Sequence, residues 1–170
     1  MQSFFELAQA RYSCRSFKPQ AIEPEKFERI LEAGRIAPTA CNNQPQRIKV
    51  ITEPVDLAKV DECTPCRFNA PAVMLVCYDK TVCWKREFDG QDSGEVDASI
   101  VTTHLILAAQ EAGLGTCWVM YFNPAKTVEL FDLPENIVPA AFLPIGYPAD
   151  NAAPSASSKQ RLSLEKILLS

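Results

Sequence analysis

The segment 93–115, SGEVDASIVTTHLILAAQEAGLG, decides how the rest of the chain must be arranged. Read at helical spacing, Val96, Ile100, Val101, Leu105, Ile106, Leu107, Ala108, Ala109 and Ala112 cover more of the circumference than the single stripe of a surface helix. A helix of that kind has to be enclosed, so the other elements are expected to pack around it. Ser93 is placed to cap the first turn through its hydroxyl, and Glu95 and Asp97 set negative charge against the positive helix start. Gly113 supplies a residue free to take positive φ at the end. At 1.5 Å per residue the helix spans on the order of 25–30 Å, the width of a small domain. A second subunit could complete its cover, which is the first indication of a dimer.

Working outward, 170 residues with 47% hydrophobic and 22% charged side chains suffice for one domain over 1–170 with a substantial core. A net charge of −4 and the lack of any dense Lys/Arg run argue against nucleic-acid binding. The N-terminal MQSFFELAQARYS has no basic leader region, and the apolar runs at 72–78 and 139–149 are too short to cross a membrane. A cytoplasmic protein is expected. Seven cysteines, an odd number without disulfide-scaffold spacing, suit a reducing compartment, and most are expected to be small buried apolar residues. The Cys63-Thr64-Pro65-Cys66 pair matches CxxC, but no second pair or HxxxH follows to complete a zinc site, so no metal is expected. His104, inside the apolar helix, reads as a satisfied core residue.

Upstream, 3–12 reads as a helix with Phe4, Leu7 and Ala8 on its apolar side, and 24–37 as a second amphipathic helix with Pro24 at its first position. Strands are expected at 48–52 and at 72–78, where AVMLVCY is short and wholly apolar, as a buried central strand is. A short helix over 55–60 separates them. Downstream of the long helix come strand-like runs at 116–122 and 138–147, a short helix at 124–130 and an extended tail from Ala152. Trp84 and Phe88, in a mixed stretch over 81–91, read more as core than as a cover over a site. The order predicts an α+β fold with the long helix lying across a sheet.

Two loops concentrate chemistry. Arg11-Tyr12-Ser13-Cys14-Arg15 brings two guanidinium groups and two hydroxyls together, which suits a phosphate or carboxylate and equally suits a solvated basic loop. Pro38-Thr39-Ala40-Cys41-Asn42-Asn43-Gln44-Pro45 is crowded with amides, which offer donor and acceptor to the edge of a heteroaromatic ring and are equally at home in an ordinary turn. Lys159 and Arg161 add two cations near the end of the chain.

Four pieces in order, the RxSxR loop at 11–15, the proline-flanked amide loop at 38–45, Gly113-Leu114-Gly115 after the helix, and KxR at 159–161, resemble the nitroreductase family over nearly the whole chain. The resemblance implies a dimer with a central, mostly antiparallel sheet flanked by helices around one long buried helix, and FMN at the subunit interface. It assigns Arg11, Tyr12, Ser13 and Arg15 to the phosphate and ribityl end, joined there by Lys159 and Arg161. Pro38, Thr39, Ala40, Asn42 and Gln44 would come from the other subunit against the ring. Backbone N–H groups at Met120 and Tyr121 would lie beside flavin N5, with no side chain acting as acid or base, because the flavin carries the chemistry.

The chain departs from the family pattern at Thr39 and Ala40, where two serines are usual, at Gln46 in place of a tryptophan, and at Tyr121, where glycine is frequent. Residues 81–92 stand where longer members carry a lid helix. The activity implied is transfer of reducing equivalents from NAD(P)H to a nitroaromatic, quinone or similar flat acceptor. The alternative is a flavin-binding redox sensor or carrier using an exposed Cys63/Cys66 pair.

Overall fold

A computed structural model describes residues 3–169. Its frame is a four-stranded antiparallel sheet ordered β1-β2-β4-β3, formed by β1 (Gln46–Ile51), β2 (Ala72–Asp79), β3 (Gly115–Thr116) and β4 (Ile137–Gly146). Helices α1 (Phe4–Ala10), α2 (Pro24–Arg35), α3 (Pro54–Cys63), α4 (Gly94–Glu111), α5 (Pro124–Leu130) and α6 (Leu164–Ile167) complete the chain, so the α+β expectation is met.

All eight residues of β2 are buried because both faces of the sheet are covered. Ala72, Met74, Val76 and Tyr78 face α2 and α4, while Val73, Leu75 and Cys77 face α3 and α5. The unbroken apolar run therefore reflects two-sided cover rather than parallel pairing. Helix α4 lies across the sheet with Ala98, Val101, Leu105 and Ala109 inward. Truncating a fully buried leucine such as Leu105 to alanine costs about 2–5 kcal/mol by transfer and cavity terms.

The end of α4 is a Schellman motif. Gly113 takes φ +77°, its N–H reaches the Gln110 carbonyl at 3.1 Å, and the Leu114 N–H reaches Ala109 at 2.8 Å. The expected Ser93 hydroxyl cap is absent. Ser93 Oγ instead donates to Asp97 Oδ2 at 2.7 Å, and Asp92 Oδ1 accepts from the Gly94 N–H at 2.9 Å. Nor is α4 fully enclosed by its own chain. Val96 is 56% exposed, and Ile100, Thr103 and Leu107 continue the open strip at helical spacing.

Four further expectations are corrected. Phe4 and Phe5 are exposed rather than inward, because α1 buries none of its residues. Only Thr116 of the 116–122 run lies in a strand, the end of β3, followed by a single bridge from Val119 to Phe142, because the chain then turns away toward α3. Phe88 is 97% exposed and Trp84 is exposed too, since 80–92 is an outlying loop closed by a Lys85–Asp92 bridge and an Arg86–Asp89 ion pair. The tail is not simply extended. The stretch expected to be extended, 152–158, runs into a 3-10 turn over Ala156–Lys159, and α6 follows further on.

Candidate cofactor and active site

The basic loop is held by backbone pairing, which leaves its side chains free. The Cys14 N–H donates to the Thr116 carbonyl at 2.8 Å, Ser13 bridges Thr116 in parallel sense, and Phe17 bridges Pro148. Such close seating needs Gly115, where a Cβ would stand 2.7 Å from the Cβ of Cys14 and 2.8 Å from its Sγ. Cys14 is fully buried as the plug of this loop, and Arg15 projects outward with its guanidinium carbon 6.0 Å from the Phe68 ring centre. The Tyr12 hydroxyl donates to the Ala152 carbonyl at 3.5 Å, and burial pushes its pKa up, with Cys14 adding to the effect.

The end of the chain closes onto the same place. Lys159 Nζ donates to the Arg11 carbonyl at 2.9 Å and to the carbonyls of Gln9 and Ala10, the unpaired C-terminal groups of α1 where a cation is favoured by the helix dipole. Arg161 Nη1 donates to the carbonyls of Ser158 and Gln160, which folds it over its own turn. Lys159 thus lies against the main chain of Arg11, its ammonium holding carbonyls. Nine of the 17 Lys and Arg side chains pair with a carboxylate among the described residues, and Arg11, Arg15, Lys159 and Arg161 are not among the nine. In a chain with more acids than bases, four cations without a carboxylate partner are the ones left with charge to offer an external anion.

The amide loop is built differently. Cys41, Asn42 and Gln44 take φ of 50°, 55° and 52°, three left-handed non-glycine residues within four positions. Conformations of this kind cluster where the surroundings over-determine the backbone. Here the determinant is Asp97, buried in the first turn of α4, whose Oδ1 accepts from the Ala40 N–H at 2.9 Å while Oδ2 takes the Ser93 hydroxyl. Thr39 Oγ1 accepts from the Gln44 N–H at 3.1 Å and closes the loop on itself. Asn42 and Gln44 are left exposed, with Pro38 at the loop's edge. The chain thus carries both loops at its surface, and one copy does not bring their residues together.

Met120 and Tyr121 are 69% and 76% exposed. Tyr121 borders a cavity of about 420 Å³ with Cys63, Pro65, Phe122 and Asn123. The sequence reading missed Asp97 as the anchor of the amide loop, having read it only as a complement to the helix dipole. The available signal was a carboxylate on a largely apolar helix, which has to find donors if buried. No group of three or more His, Cys, Asp and Glu among the described residues is arranged to hold a metal. The exposed thiol pair of the alternative reading is not supported. Cys63 is buried at the end of α3, Cys66 is half-buried, and all seven cysteines are free.

Known proteins share the family and the fold. The model of the nitroreductase family matches residues 8–64 and 65–147. The FMN reductase [NAD(P)H] of Bacillus subtilis is 30% identical over 173 residues, covering 91% of this chain and 68% of that protein. An NADH dehydrogenase of Thermus thermophilus is 27% identical over 191 residues, covering 94% and 91%. The crystal structure of a nitroreductase family protein from Clostridium difficile 630 superposes with a TM-score of 0.93 at 42% identity, covering 99% of this chain and 98% of that one. The chain belongs to the nitroreductase family.

Proposed function

We propose that this protein is a homodimeric, FMN-dependent oxidoreductase that takes reducing equivalents from NAD(P)H and delivers them to a flat oxidised acceptor such as a nitroaromatic or quinone. The observation that carries the reading is the seating of Lys159 on the Arg11 carbonyl, which brings the end of an acidic chain against the 11–15 loop, whose arginines, like Lys159 and Arg161, have no carboxylate partner among the described residues. FMN ends in a phosphate dianion, and Arg11, Arg15 and Arg161 would hold it, with Ser13 as a further hydroxyl donor and Tyr12 nearby. Lys159 contributes charge and fixes the tail in place.

The open strip of α4 and the outward amide loop support a second copy lying against the first. In that assembly Pro38, Thr39, Ala40, Asn42 and Gln44 of one subunit would face the ring held by the other, and residues 1–170 form one FMN-binding domain. When bound, FMN supplies the two-electron redox chemistry. The residues of this chain bind its anionic end, present amides to its edge and offer the Met120 and Tyr121 N–H groups to the ring. Free thiols throughout suit the cytoplasm, and no helix among the described residues is long and apolar enough to cross a membrane.

Purified protein should show flavin absorbance or gain it on titration with FMN, elute at twice the chain mass, and oxidise NADH or NADPH only when an acceptor is added. A colourless protein that ignores added FMN overturns the reading. The relatives named FMN reductase [NAD(P)H] and NADH dehydrogenase support it, the first joining FMN to NAD(P)H and the second using NADH.

A further inference from the structure

The CxxC segment has no place in the function proposed above, yet it makes the contacts that fix the stretch beside Tyr121. Thr64 is buried, 2% exposed, and its Oγ1 donates to the Tyr121 carbonyl at 2.6 Å while accepting from the Cys66 N–H at 3.1 Å. One residue earlier, the Cys63 carbonyl accepts from the Asn123 N–H at 3.0 Å. The Phe122 N–H turns back to the Met120 carbonyl at 3.1 Å. The peptide following Tyr121 is therefore held on both its polar atoms. The N–H groups of Met120 and Tyr121 have no acceptor among the described residues.

From this we infer that Thr64 is a positioning residue for the cofactor ring: its hydroxyl locks the Tyr121 carbonyl so that the Met120 and Tyr121 N–H groups stand preorganised toward flavin N5. The inference rests on the FMN reading and extends it to a residue that touches neither cofactor nor substrate. Fixed donors act because they need no reorganisation when charge shifts on the group they face. A hydroxyl bridging a carbonyl and an amide is a compact way to fix a loop whose side chains are exposed. Pro65, which follows Thr64, fixes φ in the turn and so keeps the hydroxyl where it is. The two cysteines then serve as buried and half-buried frame, Cys63 through its carbonyl and Cys66 through its amide, with no thiol chemistry required.

An N–H donor at N5 favours the oxidised ring, in which N5 accepts, over the reduced ring, in which N5 carries its own hydrogen. Loosening the donors should therefore raise the flavin midpoint potential. The test compares Thr64→Val, Thr64→Ala and Thr64→Ser as FMN-loaded dimers. For Val and Ala the oxidised-to-reduced balance should move about tenfold toward reduced, ~30 mV upward for a two-electron couple. Hydride transfer from NAD(P)H measured by stopped flow should rise with the larger driving force, with the FMN dissociation constant within about threefold of wild type. Ser, which keeps the hydroxyl, should restore both.

An unchanged potential in FMN-loaded Val and Ala variants overturns the inference and leaves the FMN reading standing. Failure of both variants to fold or load, with Ser normal, makes the hydroxyl a structural support and also overturns it. A wild-type protein that binds no FMN overturns the reading itself.

Discussion

The two loops that carry the candidate site are held in opposite ways. The 11–17 loop is laid against β3 and the chain after β4 by main-chain pairing, and neither of its guanidinium groups is tied to a carboxylate. The 38–45 loop is tied to the sheet by main-chain pairing only at Pro45; its three left-handed residues are kept in place by a buried carboxylate and a threonine hydroxyl. The first loop separates binding from folding, whereas in the second the two are joined. Substitutions in the first should change affinity and spare stability, and those around the second should change stability first.

The largest effect should come from the first loop. Replacing Arg11 and Arg15 together with alanine removes two charge-assisted contacts of about 1.5–3 kcal/mol each, so FMN affinity should fall by about 100-fold or more in an absorbance titration while the melting temperature stays close to wild type. A comparable loss of melting temperature would show that these arginines hold the fold.

Next comes the anchor of the second loop. Asp97→Ala leaves the Ala40 N–H and the Ser93 hydroxyl without their buried acceptor and should destabilise the protein by about 2–4 kcal/mol in denaturant unfolding. If stability is unchanged, the loop is held by something other than this carboxylate.

Acid should loosen the same loop at its far end. Asp79 accepts from the hydroxyl and N–H of Thr81, lies 3.5 Å from Arg47, and donates its own N–H to the Pro45 carbonyl at 2.8 Å. The Thr81 hydroxyl first, then Asn136 and the Thr81 N–H, hold its carboxyl down at about 2. The folded pKa lies below the unfolded value of about 4, so the stabilisation is complete above that value and is lost as pH falls through about 2. Asp79→Asn should flatten the acid limb of a stability-against-pH curve between about 4 and 2; an unaltered limb would remove Asp79 from the account.

The smallest effect is backbone relief. Cys41→Gly at φ 50° should stabilise the protein slightly, by about 0.5–1 kcal/mol, because glycine takes the left-handed region without a Cβ clash. Destabilisation instead would mean that the Cys41 side chain contributes more than its conformation costs.

What the sequence determined by itself is local in origin. The apolar run at 72–78, the circumference of α4, Pro24 at the head of α2 and the Gly113 terminus are written in residues close together, and periodicity and φ preference act over that range. The candidate site segments at 11–15, 38–45 and 159–161 were legible as motifs for the same reason, since each is a short stretch whose residues declare charge or amide content without reference to the fold. Tertiary structure alone decided what depends on partners distant in sequence. Phe88 stands outside although its aromatic side chain suits a core, Ser93 gives its hydroxyl to Asp97 instead of a cap, the 116–122 run leaves β3 after Thr116, and Thr64 finds a carbonyl 57 residues away. A polar atom or an apolar ring takes its role from whichever neighbour the packed chain brings to it, and no window along the sequence contains that neighbour.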